Sequence, residues 1–245
     1  MISPSASGDI ELSGIQETLG NLTVENAVNL TSIGSDSLRE IGGNFVLTNL
    51  TALSAVKIPS LASVQNMVFQ GLPDMQEFGF LPLTLTYLEI SNTLLSTLFF
   101  VIQAAGTVNI TNNPMLNSIK LPFDTVTASM EISSNGASAN VSLPNLRQAG
   151  SITIKSASAI SMPLLRFSDE LILEGNYVTD LIVDALSVVT RNMSIDSNPN
   201  LNNTSFSNLV SVGSLDIENN ANLQSMILPH LNEADSICIG GNLFR

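Results

Sequence analysis

Apolar residues in this chain alternate with polar ones in short runs that return every 19 to 23 residues. The anchors are Val24, Leu47, Phe69, Ile90, Ile110, Ile132, Ile154, Leu173, Ile195, Ile217 and Ile239. Two places before them stand Leu22, Phe45, Met67, Leu88, Val108, Met130, Ile152, Leu171, Met193, Leu215 and Ile237. A period of two marks a strand with one buried face. Such short strands cannot bury that face alone, whereas copies stacked about 4.8 Å apart share backbone hydrogen bonds and one core. The pattern predicts an all-β fold: a right-handed parallel β-solenoid of about eleven coils of roughly 22 residues, about 50 Å long.

The rest of the coil repeats too. Asparagine follows the anchor by two places at Asn26, Asn49 and Asn92, and by three at Asn113, Asn135, Asn176, Asn198, Asn220 and Asn242. It tolerates a left-handed corner, and its amide can bond along the stack. An apolar residue stands six places past the anchor at Leu30, Leu53, Met75, Leu116, Ile160, Leu201 and Leu223. A third apolar pair closes the coil, as in Leu61/Val64 and Leu209/Val212, and Pro59, Pro122, Pro144, Pro163 and Pro229 fall in the connecting segment. The cross-section is expected to be triangular. A leucine-rich-repeat horseshoe is the neighbouring fold, but its Leu-x-x-Leu-x-Leu-x-x-Asn signature is not met. Residues 94–105 are the most apolar and least regular, with room for a helical turn. Residues 1–245 read as one domain, 1–20 a partial coil and 21–245 regular coils; Ile10/Leu12 precede Leu22/Val24 by only 12 places, as in a shortened first coil.

Composition narrows the function. With 44% hydrophobic and 12% charged residues the chain is not disordered, and its polar surface is Ser, Thr and Asn rather than the Lys and Glu of helical proteins. A net charge of −13 with only eight scattered Lys and Arg weighs against nucleic acid and anionic membranes, and leaves neutral, basic or cation-bridged partners. No run approaches 18 apolar residues, so no transmembrane segment is expected, and the first residues lack the basic-then-apolar order of a signal peptide. Cys238, the single cysteine, reads as a buried or idle thiol.

Chemistry is sparse. His230 is the only histidine, so neither a zinc site nor a Ser-His relay can be assembled, and no cofactor, metal or catalytic residue is assigned. Paired carboxylates can cleave glycosides, but such clefts use aromatic platforms and this chain has no Trp and two Tyr; a polysaccharide-active β-helix enzyme is the remote reading. Met67, Met130 and Met193 fall in the inward column and read as core. On the outward strand positions, Glu131, Glu174, Asp196, Asp216 and Glu218 offer a possible partner surface, the last four clustered on adjacent coils. Carboxylates at rung spacing repel one another; a solvated face is the ordinary reading, and a Ca²⁺ site or partner surface the other. Eight Asn-x-Ser/Thr sequons mark Asn21, Asn29, Asn49, Asn109, Asn140, Asn192, Asn202 and Asn203 as N-glycosylation candidates in a secreted chain.

The segments Gly20-Asn-Leu-Thr-Val-Glu-Asn-Ala-Val-Asn-Leu-Thr-Ser-Ile33, Ser37-Leu-Arg-Glu-Ile-Gly-Gly43 and Ser214-Leu-Asp-Ile-Glu-Asn-Asn-Ala-Asn-Leu-Gln-Ser225 carry a resemblance. They are similar to the fungal GPI-anchored cell-wall organisation proteins of the sporulation-specific and extracellular-mutant type, which are related in fold to the receptor L domain. The resemblance covers nearly all of residues 8–242 and implies a secreted, N-glycosylated, lipid-anchored protein needed for wall integrity, with no catalytic residues. The chain departs from that pattern in lacking capping cysteines, a Ser/Thr-rich stalk and a hydrophobic anchoring tail. The expectation is a non-enzymatic protein of the cell wall or the outer face of the plasma membrane. Its partners are cell-wall components or cell-surface proteins, and uncapped solenoid ends offer self-association. The alternative is a ligand-binding ectodomain module gripping a protein or glycan through its polar strand face.

Overall fold

The computed structural model describes residues 2–79, 84–99 and 104–240, and every regular element among them is a strand. The longest sheet has twelve strands, of which Glu17–Thr18 and Leu22–Glu25 share the first rung because both pair with Glu40–Thr48. Above these the strands follow in chain order to Glu233–Ile239, all parallel, which gives eleven rungs. The anchors form one in-register column, Val24 on Leu47 on Phe69 on Ile90 and onward to Ile239. The chain is a parallel β-solenoid, as the alternation predicts.

Anchors and their partners two places earlier are buried through the first ten rungs, and Phe45 meets Phe69 edge-to-face with centroids 5.1 Å apart. Each buried side chain of this size contributes about 1.5–3 kcal/mol, so the column rather than any single rung holds the rod together. The last rung differs. Ile237 and Ile239 occupy the same inward columns yet are 54% and 42% exposed, because no further rung covers them among the described residues. A second face, of strands mostly three residues long, runs as three hydrogen-bonded groups: Ser7–Glu11 to Glu77–Gly79, Thr97–Phe99 to Ala159–Ser161, and Asp180–Ile182 to Ser225–Ile227. Its inward residues, such as Val56, Ile119, Val141 and Leu181, complete the core.

The asparagine rhythm resolves into two columns with different physics. Two places past each of the first ten anchors the backbone is left-handed, and Asn26, Asn49, Asn92, Asn112 and Asn219, three serines (134, 156 and 197) and two glycines (71 and 175) fill the position. Three places past the anchor, the later asparagines are inside the corner and build a ladder. Asn198 Nδ2 donates to the Leu173 carbonyl at 3.0 Å, and Asn198 Oδ1 accepts from the Asn176 backbone N–H at 2.8 Å. Asn220 does the same for the rung below, to the Ile195 carbonyl and from the Asn198 N–H. In the first three coils Ala27, Leu50 and Leu72 take that place and are fully buried. Asn242 lies outside the described residues.

A further bend breaks the long strands ahead of the outward-facing segment. Where Thr127–Ala128 and Thr190–Arg191 put two residues at the bend, the next rung has a single glycine there. A Cβ on Gly150 would stand 2.1 Å from the Ala128 carbonyl oxygen, and one on Gly213 2.3 Å from that of Arg191. Backbone, not a movable side chain, fills the space, which only glycine leaves free.

Three expectations are corrected. Ile160 is not the corner residue of its coil but pairs with Val141 at the centre of a second-face strand, because that coil is three residues short at the corner. Ile10 is not the anchor of a shortened coil: it pairs with Ile33 on the second face, and Ile2, 22 places before Val24, bridges to Val24 instead. Within residues 94–105 the described parts include strands Thr97–Phe99 and Ala104–Thr111 and no helix; residues 100–103 lie outside the described set. Among the described residues no helix is long and apolar enough to cross a membrane.

Candidate functional site

The outward side of the long sheet is a wall of three rows set by register. One row runs Thr23, Val46, Val68, Glu89, Asn109, Glu131, Thr153, Ile172, Ser194, Asp216, Cys238. A second includes Lys155, Glu174, Asp196 and Glu218 on successive rungs. A third carries Asn44, Asn66, Tyr87, Thr107, Ser129, Ser151, Glu170, Asn192, Ser214 and Ser236. Strand alternation places these side chains, since the two columns that alternate with them, the anchors and the residues two places earlier, point into the core.

Glu174, Asp196 and Glu218 therefore do meet along one row, with Asp216 in the adjacent row on the rung of Glu218. Glu131 does not join them, standing four rungs from Asp216 in its own row. These carboxylates find partners within the chain, one of them a cation. Lys155 pairs with Glu174, Asn219 and Ser197 donate to Asp196 at 2.8 and 3.0 Å, and the Cys238 thiol donates to Glu218 at 3.0 Å. That last contact, with the charge of Glu218, pushes the Cys238 thiol pKa up; the residue is exposed rather than buried. Among the described residues no group of three or more His, Cys, Asp or Glu is placed to hold a metal ion. His230 is exposed, its Nδ1 2.7 Å from the Ser207 carbonyl.

The sequons fall in two settings. Asn29, Asn140 and Asn203 each open a second-face strand and are exposed; Asn203 Nδ2 donates to Asp180 at 2.7 Å. Asn21, exposed at the edge of the first rung, accepts the Asn44 N–H through Oδ1. Asn109 Nδ2 is engaged by the Tyr87 hydroxyl at 3.2 Å, and Asn49 Nδ2 by Asn26. Asn192 is half-buried with an unpartnered Oδ1, and Asn202 is half-buried beside the buried Thr204.

Two features escaped sequence reasoning. On the wall, Tyr87 donates to Glu89 at 2.8 Å and accepts from Asn109, so an aromatic, a carboxylate and an amide share two rungs; burial, then Glu89, raises the Tyr87 pKa. On and just after the second-face strands, Asp9, Asp180 and Asp184 are held below the usual carboxylate range by hydrogen bonds from serine, threonine and asparagine, most of them on neighbouring coils. The coil-length spacing of Asp9 with Thr31 (22 residues) and of Asp184 with Ser205 and Ser207 (21 and 23) was the available signal.

Stacked rungs whose outward rows are polar and largely self-bonded define a repeat protein that offers an extended surface. The chain is 27% identical over 243 residues to sporulation-specific protein 22 of Saccharomyces cerevisiae, covering 96% of this chain and 51% of that protein. It is 32% identical over 190 residues to the cell wall mannoprotein PST1 of the same yeast (76% and 43%), and 28% identical over 232 residues to a cell surface GPI-anchored protein of Arthroderma benhamiae (92% and 59%). The chain is thus a homologue of the fungal cell-surface and cell-wall proteins that these names describe, and it spans about half the length of the curated relatives it matches. No known family's sequence profile matches it. A leucine-rich repeat protein from Bacteroides ovatus aligns over 89% of this chain and 65% of its own, at 14% identity and a TM-score of 0.47.

Proposed function

We propose that this chain is a non-enzymatic, extracellular solenoid that organises the fungal cell wall by presenting its long polar face. The observation that carries the reading is homology over 76% and 92% of this chain to proteins named for the wall and the cell surface, joined to a face whose rows are continuous over eleven rungs. Wall components and neighbouring cell-surface proteins are its partners. Asn29 and Asn140 carry glycans, because they are exposed at the start of second-face strands away from the long face, and Asn21 joins them at the edge of the first rung.

The test is localisation and loss of function together. A tagged protein, expressed in its native host, is expected in the wall fraction with glycans mapped to those asparagines by mass spectrometry. Deletion is expected to sensitise cells to wall-binding dyes. A cytosolic, unglycosylated protein whose loss leaves dye sensitivity unchanged refutes the reading.

A further inference from the structure

The coil between Ile90 and Ile110 is 20 residues long, two fewer than its neighbours above, and one of the missing residues is at the first corner. From the left-handed residue to the second-face strand the chain takes six steps from Gly71 to Glu77 and six from Asn112 to Ser118, but five from Asn92 to Thr97. The flanking corners close with a backbone bond, Met75 N–H to the Leu72 carbonyl at 3.1 Å and Leu116 N–H to the Asn113 carbonyl at 3.0 Å. The short corner instead turns Leu95 N–H toward the Thr93 hydroxyl at 3.4 Å. It is drawn in while the corners on either side stand out. The second-face hydrogen bonding also stops here, since Glu77–Gly79 ends one group and Thr97–Phe99 begins the next.

The result is a notch of about 710 Å³ crossing the rod's edge. Leu94, 46% exposed, is its floor, with Met115, 52% exposed, on one side and Pro73 on the other. Asp74, Gln76 and Ser96 line it with a carboxylate, an amide and a hydroxyl. None of the three side chains has a hydrogen-bond partner among the described residues, in contrast to the engaged carboxylates Glu89, Glu170, Asp180 and Asp184 elsewhere.

We propose that this notch binds one strand of a neutral oligosaccharide, an inference that rests on the reading of the chain as a wall protein. Its apolar floor suits the C–H face of a pyranose ring, and the free carboxylate, amide and hydroxyl match ring hydroxyls as acceptors and donors. No basic residue lines it, so an anionic ligand finds no counter-charge, and the chain's net charge of −13 repels acidic polymers. Pro73 and Met115 stand two rung spacings apart, about 9.6 Å, which is wide enough for one extended strand lying over Leu94. Met115, a flexible thioether, adapts the wall to the ring it meets.

The experiment titrates the purified chain with linear hexamers of β-1,3-linked glucose, β-1,4-linked N-acetylglucosamine and α-1,6-linked mannose. Calorimetry reads affinity and NMR follows the Met115 and Leu94 methyl signals. At least one hexamer is expected to bind and move those methyls. Asp74→Ala with Gln76→Ala is expected to weaken it at least tenfold at an unchanged melting temperature, because both residues are exposed; Met115→Glu, through a different side chain, is expected to do the same. No methyl shift with any hexamer at millimolar concentration, equal binding by the variants, or shifts produced only by an extended peptide overturns the proposal. If that happens while the notch variants still restore dye resistance to a deletion strain, the notch falls and the wall reading stands.

Discussion

Asn198→Ala tests the corner ladder most sharply. The Asn198 side chain is buried; its Nδ2 donates to the carbonyls of Leu173 and Asp196, each at 3.0 Å, and to Asn220 Oδ1 at 3.1 Å. Its Oδ1 accepts the Asn176 N–H at 2.8 Å. Truncation strips the Asn176 N–H of the partner it has there and removes a donor from the Leu173 carbonyl, both in a dry corner, while the Asp196 carbonyl keeps a bond from Gly175 N–H. The stranded N–H costs about 1–3 kcal/mol and the lost bond to a carbonyl that keeps its ladder partner about 0.5–1.5, together about 1.5–4.5 kcal/mol. For a chain of this size that lowers the melting temperature by roughly 3–18 °C. Thermal denaturation followed by circular dichroism measures the shift. Hydrogen exchange supplies the local signature, because the Asn176 amide should lose protection while those of the first three rungs, where Leu50 and Leu72 replace the ladder, should not. A shift under about 2 °C, or an Asn176 amide as slow as in the parent, refutes the assignment of the ladder.

Other expectations follow from different parts of the structure. Gly150→Ala puts a methyl group 2.1 Å from the Ala128 carbonyl and is expected to destabilise by about 1–3 kcal/mol, whereas Gly20→Ala, with nothing within 4 Å, stays within about 0.5 kcal/mol in urea titration; equal effects contradict the close-approach argument. Asp184 is held below its usual 3.8 chiefly by the Ser205 hydroxyl and then by Ser207. Its contribution is complete above that value and disappears as pH falls through the depressed pKa, so the stability gap between parent and Asp184→Asn should be present at neutral pH and close on acidification; a gap that widens in acid is the contrary result. Because Glu218 raises the Cys238 pKa, Glu218→Gln should speed alkylation by iodoacetamide several-fold at mildly alkaline pH, and an unchanged rate would separate the two residues.

Most of the architecture was legible because it depends on a period-two alternation that every rung repeats, and the in-register column from Val24 to Ile239 is the physical form of that pattern. What was not legible lies where spacing varies. The three-residue deletion before Ile160 kept an apolar residue at the counted position while moving it to another face, and Ile2 could not be told from Ile10 as the residue beneath Val24 without knowing which face each strand joins. The asparagines were visible, but one residue type serves two neighbouring columns, a left-handed turn at Asn49 or Asn219 and a buried ladder at Asn176 or Asn198. The acidic row was visible as well. Its pairing with Lys155, Asn219 and Cys238 depends on side chains meeting across rungs, which register alone does not give.

The ordered stacking of rungs into one straight wall is most directly tested by spin-label distances along a single outward row. With Cys238 replaced by serine, labels placed pairwise at Thr23, Glu131 and Asp216 occupy the first, sixth and tenth rungs. Five and four rung steps predict about 24 Å and about 19 Å for the shorter pairs, and about 43 Å for the longest. The three values should add as points on a line. A Thr23 to Asp216 separation well below the sum of the other two would contradict a rod built rung upon rung.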